Sequence, residues 1–390
     1  MYGICETTMK VTMVVTEVGK GGAFARIAYH LTQEFAKKGL ETALVTGRVI
    51  DLPHESTEIH LVCPKLVEKT ANTSGFYAKR ALGLISTPAF FVLSTRYMRK
   101  HKSELGITMD FMGLGGDVMS IHGIALRRAI IRWQRKEWMQ LMNPFELYRL
   151  GLEILRYKLM RFKIGIAVSN RSKQDVVRLY GVPSDKIVVI PNAIDTERFH
   201  PGNKQIFREK VRIQYNVPLD APLLIFVAHN FWLKGLKFVI EALPKIRDAY
   251  LFVVGGGMKQ PFEAIAEKLG VERRVIFTGA QYEVNKFYAA SDLLIFPYES
   301  WALVCIEAMA SGIPALASKA GYGDDYIRDG YNGFFIKRDP DDIAEKVNCI
   351  LSDDKLRREL GRNARKTAEG FSWSNVADRY IEVFESLSRS

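Results

Sequence analysis

Apolar residues in the first part of the chain fall in short β-branched runs that alternate with longer stretches of helical spacing. Residues 11–15 form an apolar run closed by turn residues and predict a buried strand. A glycine-rich loop follows. Phe24, Ile27, Ala28, Leu31 and Phe35 then recur at spacings of three and four, one face of an amphipathic helix. Gly39 ends that helix, and residues 42–45 predict the next strand. Strand, glycine loop, helix, strand is a βαβ unit, the building block of parallel sheets. Residues 76–100 predict a helix broken near Pro88, and 124–162 predict helices interrupted at Asn143-Pro144. A strand is expected at 164–168. Ser169 then caps a helix running to Tyr180, where Gly181-Val182-Pro183 stops it. Residues 187–190 predict another strand.

Residues 191–203 are rich in Pro, Asn and Gly and poor in apolar side chains, so a domain boundary is expected there. Beyond it the alternation restarts. Strands are predicted at 223–227, 251–254, 275–277, 293–296 and 315–317. Helices are predicted between them at 235–246, 262–269, 284–290 and 304–310. Three helices close the chain, from about Asp341, Lys355 and Ser374. The expected fold class is α/β, two doubly wound domains spanning 1–195 and 196–373. Two such domains facing each other would place strand C-termini and helix N-termini across a shared cleft, where ligands bind in open α/β sheets.

Composition narrows the class. The 390 residues are 48% hydrophobic, which rules out a disordered or fibrous chain. The longest apolar stretch, residues 82–93, is short and broken by Ser86, Thr87 and Pro88, so a spanning helix is not expected. The N-terminus has no basic start followed by an apolar stretch, so no secretory signal is expected and the protein reads as cytoplasmic. Four scattered cysteines argue against a disulfide framework and a CxxC zinc site. The net charge is +12, and residues 124–163 hold ten basic residues against three acids. Charge alone leaves a nucleic acid, an anionic membrane or an anionic substrate open.

Candidate chemistry lies at strand ends. Gly21 and Gly22, between a strand and a helix, let backbone approach a phosphate at a helix N-terminus, or simply make a tight turn. Lys234, after the 223–227 strand, is placed to pair with a diphosphate or to be a solvated surface lysine. Glu299 lies at the mouth of the 293–296 strand. Glu307 sits in the following helix among apolar neighbours, where a carboxylate needs a partner: ribose or sugar hydroxyls, or an internal ion pair such as Lys234. His122 and His229 end strands, and a lone histidine is either a donor to substrate or structural. No HExxH, GxSxG or metal-ligand spacing occurs, so no metal and no cofactor are expected.

Taken in order, these residues resemble the retaining glycosyltransferases of family 4, which have the GT-B fold. VVIPNAIDTERF at 188–199 is similar to the family's interdomain segment, Lys234-Gly235 to its phosphate-binding KG, and PYESWALVCIEAMASGIPALAS at 297–318 to its element with two glutamates eight apart. FSW near Phe371 resembles the start of a terminal helix, 374–390, that returns to the first domain. The resemblance implies that Glu307 binds the ribose of a sugar nucleotide and Glu299 the donor sugar hydroxyls. It assigns the diphosphate to Lys234, helped by backbone amides at Leu303 and Val304 and by Gly22. It makes His122 the active-site histidine. It also implies retention without metal or protein nucleophile, which requires positive charge on the leaving phosphate. Two departures stand out. Ala228-His229 replaces the usual Gly-Arg, so His229 or a neighbour would supply a cation, and Ser300-Trp301-Ala302 replaces Gly-Phe-Gly. FVAHNFWLKGL at 226–236, GYGDDYI at 321–327 and His122-Gly123 resemble the lipopolysaccharide-core glucosyltransferase I branch.

That resemblance reweights the basic stretch. An enzyme acting on an anionic glycolipid would meet it with 124–163, where Trp133, Trp138, Tyr148 and Tyr157 mix with the arginines, as on interfacial helices. The alternative is a helical pair with solvated arginines. No recognition motif supports nucleic acid. The expected partners are therefore a UDP-sugar or another nucleotide-sugar donor, an anionic glycolipid or glycan acceptor, and a membrane surface. A non-catalytic GT-B-like binding protein and a Rossmann-type oxidoreductase are the other classes, the latter disfavoured by the lack of GxGxxG.

Overall fold

A computed structural model describes residues 9–20, 22–74, 76–101, 105–109, 113–134, 143–159, 162–298, 303–319 and 325–389. The chain divides into two units, 1–192 with 376–390, and 193–375.

The first unit holds β1 (Lys10–Val14), β2 (Glu17–Val18), β3 (Glu41–Thr46), β4 (Arg48–Val49), β5 (Glu58–Leu61), β6 (Leu105–Met109), β7 (Val118–Ile121), β8 (Ile164–Ala167) and β9 (Ile187–Val189). Its main sheet runs β5-β3-β1-β6-β7-β8-β9, every neighbour parallel, with β2 and β4 paired apart from it. A parallel sheet is covered on both faces, which is why β1 shows no alternation: Val11, Thr12, Met13 and Val14 are all buried. The strand order reverses between β1 and β6, beside the glycine loop. The helix Asn170–Tyr180 is capped as its sequence requires. Ser169 accepts from the Ser172 amide, and Gly181 takes the left-handed conformation at φ 68°.

The basic stretch is partly internal. Glu153 is fully buried and accepts from the amides of Ala125 and Leu126 at 2.6 and 2.9 Å, closing the N-terminus of the helix Ala125–Gln134, and also from the Tyr180 hydroxyl. Arg127 pairs with Asp175, and buried Arg156 donates to Thr108. Tyr157 is core, stacked on Tyr180 at 4.3 Å, whereas Trp133 is 63% exposed. Residues 135–142, with Trp138, lie outside the described residues. The helix Phe76–Lys100 continues through Pro88 where a break is expected. Buried Phe90, Phe91 and Met98 seat its second half, and such packing outweighs local preference.

The C-terminal helix Trp373–Ser388 packs into this unit from residue 376 onward. Phe384, wholly buried, meets Phe35 edge-on at 5.4 Å.

The second unit holds β10 (Leu223–Val227), β11 (Tyr250–Val254), β12 (Val275–Gly279), β13 (Leu293–Phe296), β14 (Ala315–Ala317) and β15 (Gly333–Phe335), ordered β12-β11-β10-β13-β14-β15 and parallel throughout. Here the order reverses between β10 and β13. The helix expected at 235–246 is instead Phe231–Lys234, then Gly235 at φ 84°, then Leu236–Ala242 and a short 3-10 turn, because Asn230 caps an earlier start by accepting from Leu233. A polar helix at Asn203–Gln214 carries no strong apolar stripe and was not expected, but its Arg212 is fully buried against Asp292.

Phe384→Ala should destabilise the first unit by about 3–5 kcal/mol, the usual cost of emptying a buried phenylalanine site. Hydrogen exchange should show protection lost in β1 and β3 and kept in β10–β14; a uniform loss would count against the assignment of this helix.

Candidate functional site

In open α/β sheets the crevice lies beyond the strand C-termini where the order reverses. In the second unit that point is flanked by β10, which leads to Lys234-Gly235, and β13, which leads to Pro297 and Tyr298. The two loops touch. A side chain at Gly235 would lie 3.0 Å from the Pro297 carbonyl, so the left-handed glycine is what lets the lysine turn sit on β13's exit.

Lys234 is half-buried. Its ammonium lies 3.7 Å from the Tyr298 ring centroid and 5.5 Å from that of Phe296. It makes no ion pair and no side-chain hydrogen bond among the described residues. Burial pulls its pKa down to about 8, a fall that the neighbouring Cys305 thiol opposes. The sequence alternative of a solvated surface lysine is therefore not what is found, and neither is a Lys234–Glu307 ion pair. Arg338 is a further cation at this turn, its guanidinium 3.5 Å from where a Gly235 side chain would begin and 5.3 Å from the Phe238 ring.

Glu307 belongs to the helix Leu303–Ala310, whose first residues Leu303 and Val304 are half-buried at its N-terminus. The Tyr288 hydroxyl, wholly buried, donates to Glu307 Oε2 at 2.9 Å and approaches the Val304 carbonyl at 3.3 Å. Burial, then the Glu307 charge, hold Tyr288 far above the usual phenol range, so it remains a donor. Cys305 is buried, and its thiol is pushed up to about 12. Glu299 lies outside the described residues, as do 300–302 and 320–324.

His229 is exposed at the end of β10. Gly255, Gly256 and Gly257 follow β11 and lie against its loop. A Cβ at Gly255 would fall 1.8 Å from the Ala228 carbonyl, and one at Gly257 2.8 Å from that of His229. This triplet was missed in the sequence reading, although three glycines directly after a strand are a visible signal for close backbone approach. Tyr298 and Tyr288 carried no such signal.

In the first unit Gly22 ends the β1 loop as N-cap of the helix Ala23–Lys37, and among the described residues nothing beyond its chain neighbours lies within 4 Å of where its Cβ would be. Packing does not demand a glycine there, and the backbone is uncovered. Gly21 is outside the described residues. His122 follows β7, its Nδ1 3.2 Å from Ser120 Oγ and its ring edge-on to Phe24 at 5.1 Å. Ser120 in turn hydrogen-bonds Tyr380 of the C-terminal helix. Among the described residues no cluster of His, Cys, Asp or Glu could hold a metal.

Residues 207–367 match the family model described as glycosyl transferases group 1, and residues 21–198 that described as glycosyltransferase family 4. An uncharacterized glycosyltransferase of Methanocaldococcus jannaschii is 32% identical over 232 residues, 56% of this chain and 59% of that protein. A D-inositol 3-phosphate glycosyltransferase of Xylanimonas cellulosilytica is 30% identical over 237 residues, 57% of each. The chain thus spans less than two thirds of the length of these curated relatives. The crystal structure of WaaG, a glycosyltransferase involved in lipopolysaccharide biosynthesis, aligns with TM-score 0.71 at 21% identity over 96% of this chain and 99% of that one. Anabaena HepE in complex with UDP aligns with TM-score 0.67 at 17% identity over 97% of this chain and 100% of that one. The fold is GT-B, built from Rossmann-like units with parallel sheets. Each half of the chain thus matches a glycosyltransferase family model, and both matches together with the fold support a GT-B glycosyltransferase of the group 1 and family 4 kind.

The Lys234 ammonium should titrate near pH 8, well below a surface lysine. Nuclear magnetic resonance of reductively methylated protein, assigned with Lys234→Arg, measures this; a midpoint near 10.5 would refute the desolvated setting.

Proposed function

We propose that this chain is a retaining, metal-independent hexosyltransferase that uses a nucleotide-diphosphate sugar, a UDP-sugar being favoured. The observation that carries the reading is Lys234: a desolvated cation without an acid partner among the described residues, at the strand mouth where the sheet order reverses. Such a group is complementary to the charge that develops on a departing diphosphate. Arg338 is the second cation of that pair, taking the part the resemblance gives to the arginine that His229 replaces. The amides of Leu303 and Val304 add the positive end of a helix. Glu307, oriented by Tyr288, accepts from the ribose hydroxyls. Glu299 and His122 keep the roles the family resemblance assigns, both toward the transferred sugar. The leaving phosphate then takes the acceptor's proton, so no protein nucleophile is required.

The acceptor is an anionic glycolipid or cell-envelope glycan of the lipopolysaccharide-core kind, met at the cytoplasmic face of the membrane. Support comes from the first unit, where Ile130, Trp133, Leu147, Leu155 and, on the helix Phe76–Lys100, Ile85, Val92 and Leu93 are all exposed in a basic region. Aromatic and aliphatic side chains among arginines suit a headgroup layer. No helix of the described residues is long and apolar enough to cross a membrane, so attachment would be peripheral. A phosphorylated polyol acceptor is the second reading, favoured by the inositol 3-phosphate glycosyltransferases among the relatives.

Thermal stabilisation by UDP-, GDP- and ADP-sugars should single out one donor. With it, Glu307→Ala and Lys234→Ala should each lower kcat/KM by about 10- to 100-fold or more while the fold persists, since each removes a charged contact to the substrate. A fully active Glu307→Ala protein would show the site misplaced. A bound diphosphate raises the Lys234 pKa above its free value of about 8. UDP affinity should therefore be flat below pH 8 and fall up to tenfold per pH unit above it, a dependence that Lys234→Ala abolishes in calorimetric titration. Flotation with phosphatidylglycerol vesicles tests the membrane reading. Trp133→Ser should weaken it, and no flotation at any salt would favour the soluble acceptor.

A further inference from the structure

The opposite edge of the second unit's sheet carries a recess of about 520 Å³. Asp292, immediately before β13, and Pro314, immediately before β14, line it, so it opens at strand N-termini. Lys234 lies at the C-terminal edge, a strand length or roughly 15 Å away. Among the described residues the lining comprises six cations and one carboxylate. Lys204 and Arg208 come from the helix Asn203–Gln214; Arg357, Arg358, Arg362 and Arg365 come from the helix Asp354–Glu369.

The one carboxylate is already engaged. Asp292 Oδ1 accepts from Arg208 at 2.8 Å, and Oδ2 from Arg212 and the Leu223 amide, both at 2.9 Å. Arg357 pairs with Asp354 at 2.7 Å. Arg365 pairs with Glu369 at 2.8 Å and also donates to the carbonyls of Thr196, Phe199 and Ala310. Lys204, Arg358 and Arg362 have neither an ion pair nor a side-chain hydrogen bond among the described residues. Arg358 and Arg362 stand four apart on one helix face, a spacing at which like charges repel. Burial, assisted by Arg208, Arg357 and Arg212 against the pull of Asp292, lowers the pKa of Lys204.

A solvated charged helix face would scatter such groups outward among acids. Here two helices border one concavity with them, Lys204 half-buried and Arg358 and Arg362 exposed, over a rigid floor. A Cβ at Gly361 would fall 2.5 Å from the Gly312 carbonyl, and one at Gly312 would fall 3.0 Å from the Pro201 ring, so the two glycines let these segments pack closely. Unpaired guanidinium forks beside an ammonium match the oxygens of a phosphate, and the volume suits a diphosphate or a phosphorylated sugar. We propose that this recess is a second anion site, separate from the donor mouth, that binds a phosphate-bearing molecule through Lys204, Arg358 and Arg362. It stands independently of the donor assignment.

The test uses the full chain carrying Lys234→Ala with Arg338→Ala, so that both donor-mouth cations are removed. Inorganic pyrophosphate should raise its melting temperature by roughly 3–6 °C in a saturable way. Adding Arg358→Gln with Arg362→Gln should remove the shift, and Arg358→Lys with Arg362→Lys should keep part of it. An undiminished shift in the glutamine pair, or an equal shift with sodium chloride at matched ionic strength, would overturn the proposal. Should the glutamine pair fold poorly, Lys204→Gln carries the same expectation. Sedimentation with phosphatidylglycerol vesicles separates the sources of the phosphate. Vesicle binding lost in the glutamine pair identifies a lipid headgroup; vesicle binding unchanged while the pyrophosphate shift is lost identifies a soluble phosphate.

Discussion

A parallel strand is reached only by carrying the chain back over the sheet, and each return places a loop and the start of a helix at the same edge. Both units of this protein obey that constraint through every strand pairing of their main sheets. Its consequence in the second unit is that the exits of β10 and β13 are neighbours although far apart in sequence. Gly235 on Pro297, the lysine over Tyr298, and the helix opening at Leu303 are all products of that one reversal in strand order. The opposite edge collects what precedes the strands, here Asp292 and the turn at Gly312, and with them the arginines of the helix Asp354–Glu369.

The two edges treat charge differently. At the C-terminal edge the Lys234 ammonium rests on an aromatic floor, so that among the described residues its cost of desolvation is offset by the ring face and not by a carboxylate. A carboxylate there would compete with any phosphate. At the N-terminal edge Asp292 satisfies Arg208 and wholly buried Arg212, where an unpaired guanidinium would be untenable. The same acid therefore pins the helix Asn203–Gln214 through two of its arginines and still leaves a surplus of cations in front of it.

Much of this was legible from residues alone. The runs at 223–227, 284–290, 293–296 and 315–317 appear at the predicted positions, because buried parallel strands and short amphipathic helices carry strong local patterns. β5, with only four residues and exposed ends, and the polar helix at 203–214 were not legible, since their places are set by partners elsewhere. Within the site, the position of Lys234 could be read from strand and glycine. Its aromatic seat, the Tyr288 contact to Glu307 and Arg338 at the same turn could not, because each joins segments distant in sequence. The basic stretch at 124–163 shows the converse. Counting charges treated all ten as surface, whereas Arg156 is buried and Arg127 is paired to Asp175.

The C-terminal helix has a consequence for synthesis on the ribosome. Phe35 is translated early, but its partner Phe384 emerges only after all of 193–375 has been made. The second unit is continuous in sequence and can close as soon as it leaves the exit tunnel, whereas the first must wait with an apolar groove uncovered. The order of completion thus runs against the order of translation, and the interval is when chaperones have most to bind.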